Sequence, residues 1–87
     1  MPTVFIPSPL RKLAEGKDHF LLEGKTVGEL MSQLEQQNPA LAKALCPGGE
    51  LKQGLAVAVD GSMSNRGLYQ KVQEKSEVHF LPMVGGG

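Results

Sequence analysis

The sequence predicts an α+β domain, a mixed sheet of four to five strands with one main helix packed across it. Three observations carry that expectation. Apolar residues recur with a period of two near both ends of the chain, in Thr3-Val4-Phe5-Ile6, His19-Phe20-Leu21-Leu22, Leu55-Ala56-Val57-Ala58-Val59 and Val78-His79-Phe80-Leu81. Between the second and third of these, one long stretch has helical spacing from Thr26 to Gln37. Finally, 87 residues make a single domain, and a hydrophobic content of 40% supports one modest core.

The first strand is closed by Pro7 and Pro9; Val4 and Ile6 share one face, and Thr3 and Phe5 the other. Ser8 to Gly16 reads as polar loop. His19–Leu22 is a second strand ended by Glu23-Gly24-Lys25, and the two strands form an antiparallel hairpin. Thr26-Val27-Gly28-Glu29 has the form of a capping box, in which the threonine hydroxyl accepts the amide proton of residue 29 while the glutamate reaches back. Val27, Leu30, Met31 and Leu34 then make an apolar stripe, with Glu29, Gln33, Glu35, Gln36 and Gln37 off it. Asn38-Pro39 stops this helix and opens a shorter one with Ala40, Leu41, Ala44 and Leu45 on its apolar face, ended by Cys46-Pro47-Gly48-Gly49. After the third strand, Asp60-Gly61 is a turn, Ser62 to Gly67 a polar loop, and Leu68-Tyr69 a brief edge strand. In the last strand Val78 and Phe80 face inward, His79 and Leu81 outward. Pro82 closes it by withholding a donor.

Several functions are disfavoured by composition. Nine Lys plus Arg balance nine Asp plus Glu, without the basic surplus of a nucleic-acid binder. No window approaches the roughly 20 apolar residues of a membrane span, and the start of the chain lacks signal-peptide blocks. One cysteine makes no internal disulfide, so a cytoplasmic location is expected. His19 and His79 lie on different strands without further ligands at metal spacing, and Cys46 has only Lys43 nearby to activate it. Gly48-Gly49 lacks the lysine and hydroxyl of a phosphate loop, and the carboxylates are dispersed. No self-contained catalytic or metal site is visible, and no bound cofactor is expected.

Glycine is the exception: three of the 11 are Gly85-Gly86-Gly87. A terminal carboxylate is ionised at neutral pH and can attack an activated phosphate, but it cannot activate itself. A second protein must receive the tail, exclude water and align the reacting atoms. Glycine suits a narrow channel because its backbone approaches closely. Pro82 to Gly87, extended, would reach about 20 Å.

The strand–helix order, the segment Val78-His79-Phe80-Leu81-Pro82 and the ending Val84-Gly85-Gly86-Gly87 together resemble the ubiquitin-like sulfur carriers. These include the thiamine sulfur carrier, the small subunit of molybdopterin synthase and the carrier of cysteine synthesis. Ile6-Pro7-Ser8-Pro9-Leu10-Arg11 and Thr26-Val27-Gly28-Glu29-Leu30 share the likeness, which covers essentially the whole chain. The cysteine-type carrier is nearest in length and in the ending Leu81-Pro82-Met83-Val84-Gly85-Gly86-Gly87. Gly85 stands where Ala or Ser is common, and Glu74-Lys75-Ser76-Glu77 where an Asp-Gly-Asp turn is common.

The resemblance implies a ubiquitin-like β-grasp domain over residues 1–82 and a flexible glycine tail over 83–87. It implies that a ubiquitin-activating-type enzyme uses ATP to adenylate the Gly87 carboxylate. A sulfur donor then makes the thiocarboxylate, and a biosynthetic enzyme accepts the sulfur. Gly85 and Gly86 are recognised in the tail, and the chain is a co-substrate rather than an enzyme. With strands one, three and five adjacent, as in the family, Phe5, Ala58, His79 and Leu81 form a partly apolar docking patch next to Pro82. Arg11, with Lys12, contacts an acidic partner surface. Two alternatives stay open: a protein modifier whose acyl-adenylate is captured by lysines, and a non-covalent interaction module.

Overall fold

The first and last strands of the chain meet at the centre of one sheet. In the computed structural model, which describes residues 1–63 and 66–82, the strands are β1 (Thr3–Phe5), β2 (His19–Leu21), β3 (Leu55–Val59), β4 (Ser62–Met63) and β5 (Glu77–Pro82). Their order across the sheet is β2-β1-β5-β3-β4. β1 and β5 run parallel, with Val4 opposite Val78. The hairpin of β1 with β2 is antiparallel, as are β3 with β5 and β3 with β4. This is the mixed sheet that the period-two segments predicted.

Two helices cover the inner face, α1 (Val27–Gln37) and α2 (Pro39–Leu45). α1 starts where the capping box placed it. The Thr26 hydroxyl accepts the Glu29 amide at 3.2 Å, and the Glu29 carboxylate accepts the Lys25 amide at 2.8 Å. Asn38 then closes α1 and opens α2, its side-chain oxygen accepting the Leu41 amide at 3.1 Å. Val27, Leu30, Met31 and Leu34 are buried, and they pack with Val4, Ile6, Val57, Val59, Val78 and Phe80 of the sheet segments in one core. Gly24 lets the chain pass under the start of α1, because a Cβ there would lie 2.8 Å from that of Glu29 and 3.0 Å from the Leu30 nitrogen.

Three expectations need correction. Ser8–Ala14 is a 3-10 helix rather than plain loop. Pro9 sets its first turn, Ala14 is buried, and Leu10 packs on the core, so the segment caps one end of the domain. Leu68-Tyr69 is no strand: Ser62–Met63 supplies the edge strand, and Gly67–Tyr69 forms a 3-10 turn whose Leu68 packs on the core. A Cβ on Gly28 of α1 would lie 3.2 Å from the Leu68 carbonyl oxygen, so that glycine admits the turn. On α2 the buried residues are Leu41, Ala42 and Leu45; Ala40 is exposed. The helix begins at Pro39, and this phase turns residue 42 inward.

The β3–β4 connection is a two-residue hairpin in which Asp60 (φ 51°) and Gly61 (φ 82°) both take positive φ. Asp60 also fastens β5. Its carboxylate accepts the Glu77 amide at 2.9 Å and the hydroxyl of buried Ser76 at 2.8 Å, while its own amide donates to the Glu77 carbonyl at 2.8 Å. These two bonds, the Glu77 amide first and then the Ser76 hydroxyl, hold the Asp60 carboxyl below its ordinary value.

Leu34 is fully buried, and Leu34→Ala is expected to cost about 2–5 kcal/mol in denaturant unfolding. Asp60→Asn, which tolerates the same positive φ and removes the charge, is expected to lower Tm at about pH 7. Because the folded-state carboxyl titrates below the unfolded one, near ~3.9, that contribution is complete above the unfolded value and disappears as pH falls through the folded one. The Tm gap to wild type should therefore close in acid; a gap that stays constant down to about pH 2 contradicts the assignment.

Candidate functional site

The outer face of the sheet carries no helix. Odd-numbered residues of β1, β2 and β5 and even-numbered residues of β3 point to it, because side chains alternate along a strand. Register brings five of them into one row across the strands. Phe5 lies opposite His19, Ala58 opposite His79, and Ala58 also opposite Met63. Phe5 and His79 close the row by stacking, with ring centroids 4.4 Å apart and planes 4° from parallel. The His19 ring stands 6.1 Å from Phe5 on the other side. Beyond this row, towards the end of β5, Leu81 pairs with Ala56 and Pro82 with Leu55.

The face is apolar at its centre and open. Leu21, Met63 and Leu81 are 54%, 62% and 41% exposed, and Phe5 and His79 are half-buried. Ala58 lies on this face as expected, yet it is only 5% exposed, its methyl being low between His79 and Met63. It is the floor of the patch rather than a contact surface. Charge is confined to the margin: the Glu77 carboxylate is 3.7 Å from His79 Nε2, and the Asp18 carboxylate 2.7 Å from His19 Nδ1. The His19 bond draws the Asp18 carboxyl below its usual value, with Arg11 adding a smaller attraction.

Phe5, His79 and Leu81 thus fall together, whereas Pro82, expected beside them, has the parity of Val78 and Phe80 and pairs with core-packed Leu55, so it belongs to the opposite face. His19, Leu21 and Met63 belong with them and were not singled out by sequence. The parity of β2 would have placed His19 and Leu21 beside Phe5. Met63 carries no such signal, since two residues show no period. Arg11 stands apart on the 3-10 helix, where its Nε donates to the Ile6 carbonyl at 3.2 Å just past the end of β1. Gly85, Gly86 and Gly87, with the flexible tail expected over 83–87, lie outside the described residues.

Among the described residues no three His, Cys, Asp or Glu side chains gather to hold a metal. Cys46 borders an open groove of about 450 Å³ on the helix side with Met31 and Lys43, and burial pushes its thiol up to about 11, so it is protonated at neutral pH. Among the described residues no helix is long and apolar enough to cross a membrane.

Comparison with known proteins agrees with this geometry. A crystal structure of a BexX/CysO complex from Amycolatopsis orientalis superposes with a TM-score of 0.86 at 27% identity, covering 100% of both chains. CysO of Mycobacterium tuberculosis gives 0.83 at 27% identity over 97% of this chain and 100% of that one. The small archaeal modifier protein 1 of Methanosarcina acetivorans, at 24% identity, shares the fold with a TM-score of 0.78 over 99% of this chain and 95% of that one. No curated protein sequence gives a significant match. The fold is therefore the ubiquitin-like β-grasp. The ThiS family model matches residues 4–87, and the chain belongs to the ThiS family, the ubiquitin-like sulfur carriers that its sequence resembles.

Proposed function

We propose that this chain carries sulfur as a thiocarboxylate on Gly87, with residues 1–82 as the docking body and 83–87 as the segment delivered to partner enzymes. One observation carries the reading. β5, the strand that leads to the glycines, carries His79 and Leu81 on the apolar outer face and extends to Pro82. Five residues remain, and they span at most about 18 Å. A partner gripping Phe5, His79 and Leu81 therefore holds the end of the chain within one tail length of its own active site.

The chemistry then divides between proteins. In the active site of a ubiquitin-activating-type enzyme, a Gly87 carboxylate oxygen attacks the α-phosphorus of ATP, and the bond to pyrophosphate breaks. Sulfur at the sulfide level from a donor attacks the acyl carbon, AMP leaves, and a thiocarboxylate remains. The thiocarboxylate sulfur then bonds an electrophilic carbon of an acceptor held by a biosynthetic enzyme, giving a thioester; water attacks the acyl carbon, the acyl C–S bond breaks, the sulfur stays on the acceptor as a thiol and the Gly87 carboxylate is regenerated. The chain itself supplies the acyl group, the docking face and a glycine backbone thin enough for a narrow channel; it acts as a co-substrate rather than an enzyme. Arg11, anchored through Nε, offers its remaining guanidinium donors to an acidic partner surface. The likeness to two CysO structures at 27% identity, one of them in complex with BexX, favours a cysteine-type pathway over thiamine or molybdopterin. A cytoplasmic setting fits these partners.

Incubating the chain with its activating enzyme, ATP and sulfide should exchange one oxygen for sulfur in the intact mass, and deletion of Gly87 should abolish the exchange without changing Tm. Recovery of Gly87 in isopeptide bonds to lysines, with no thiocarboxylate, would replace this reading with that of a protein modifier. Leu81→Asp should raise KM for activation by about 30-fold, the equivalent of a 2 kcal/mol hot spot, while leaving kcat nearly unchanged. An unchanged KM places docking elsewhere.

A further inference from the structure

β2 is an open edge of the sheet, and the hydrogen-bond pattern shows which of its groups are left over. The Ile6 amide donates to the Asp18 carbonyl at 2.8 Å and the Leu22 amide to the Pro2 carbonyl at 3.1 Å, with Phe20 opposite Val4 midway between them. In an antiparallel ladder these are the hydrogen-bonded positions, so residues 18, 20 and 22 direct their backbone groups towards β1. The N–H and C=O of His19 and Leu21 point the other way, off the sheet. Among the described residues nothing meets those four groups. No proline or bulge protects this edge, and Leu21 beside it is 54% exposed.

We propose that a second copy of this chain pairs with this edge, β2 against β2 in antiparallel sense about a two-fold axis, joining two sheets into one of ten strands. Symmetry and the free groups restrict the register. His19 of each copy pairs with the second copy's Leu21, forming four backbone hydrogen bonds, and Phe20 crosses Phe20 on the axis. This register sets Lys17 of each copy opposite the second copy's Glu23. Both side chains are exposed, and the Lys17 ammonium, now 5.5 Å from the Phe20 ring centroid, lies beside the strand that would form the contact. Two opposite-charge pairs thus flank the junction, and sliding by two residues in either direction loses both. A formal net charge of 0 imposes no long-range repulsion between copies.

The contact is short, well below the usual size of a permanent interface, so the dimer should be transient. It leaves Phe5, His79 and Leu81 free on each copy. Because the axis makes the two β5 strands antiparallel, their Pro82 ends lie at opposite ends of the joined sheet.

Sedimentation equilibrium of the full chain tests the pairing independently of its sulfur chemistry. The average mass should be that of the monomer at about 10 µM and rise towards twice that value at about 1 mM. Lys17→Glu and Glu23→Lys should each weaken association at least about tenfold, and the double swap should restore it. Amide exchange at His19 and Leu21 should slow with concentration in the wild type and in the double swap but not in either single swap. A monomer at every concentration overturns the proposal, as does a dimer indifferent to the single swaps. Slowing of these two amides by an added activating enzyme, at a concentration where the chain is monomeric, would give the edge to that enzyme and overturn it as well.

Discussion

The parallel pairing of β1 with β5 is the constraint on which the other parts depend. It joins residues more than 70 positions apart, Val4 with Val78, so nearly the whole chain must be in place before it can form. Once made, it puts the last strand between β1 and β3, where it is bonded on both sides and its Val78 and Phe80 are sealed by the helices. The Asp60 carboxylate locks the entrance of that strand through Glu77 and Ser76, and Pro82 ends it. His79 and Leu81 of the outer face are therefore mounted on the best-supported strand of the molecule.

That placement explains a division of labour between the two faces of the sheet. The inner face is saturated: α1 and α2 cover it with aliphatic side chains, and the small residues Gly24 and Gly28 admit the chain segments that cross them. The outer face keeps its apolar groups uncovered around the stacked Phe5 and His79, with the Asp18 and Glu77 carboxylates at its margin. Only the inner face is sealed by other parts of the same chain.

Much of this was legible in the sequence, for identifiable reasons. The capping box at Thr26, the spacing of Val27, Leu30, Met31 and Leu34, and the alternation in β1, β3 and β5 are local signals, and each gave the observed element and face. The failures were also local. A two-residue strand such as Ser62–Met63 has no period to detect, and Leu68 in a 3-10 turn is apolar for a tertiary reason, its fit against Gly28. Ala58 was placed on the correct face but not at the correct depth, because depth depends on the neighbours His79 and Met63 and not on parity. The adjacency of β1, β5 and β3, which brings His79 and Ala58 beside Phe5, came from family likeness rather than from any residue pattern.

The parallel central pair has a mechanical consequence. The chain enters β1 at one end of the sheet and leaves β5 at the other. A pull on the tail against the start of the chain therefore loads the ladder between β1 and β5 along the strands, where the bonds must yield together rather than one after another. Force between the two ends of the body is thus met by shear of that whole ladder, and the domain holds where a sheet loaded across its strands would unzip.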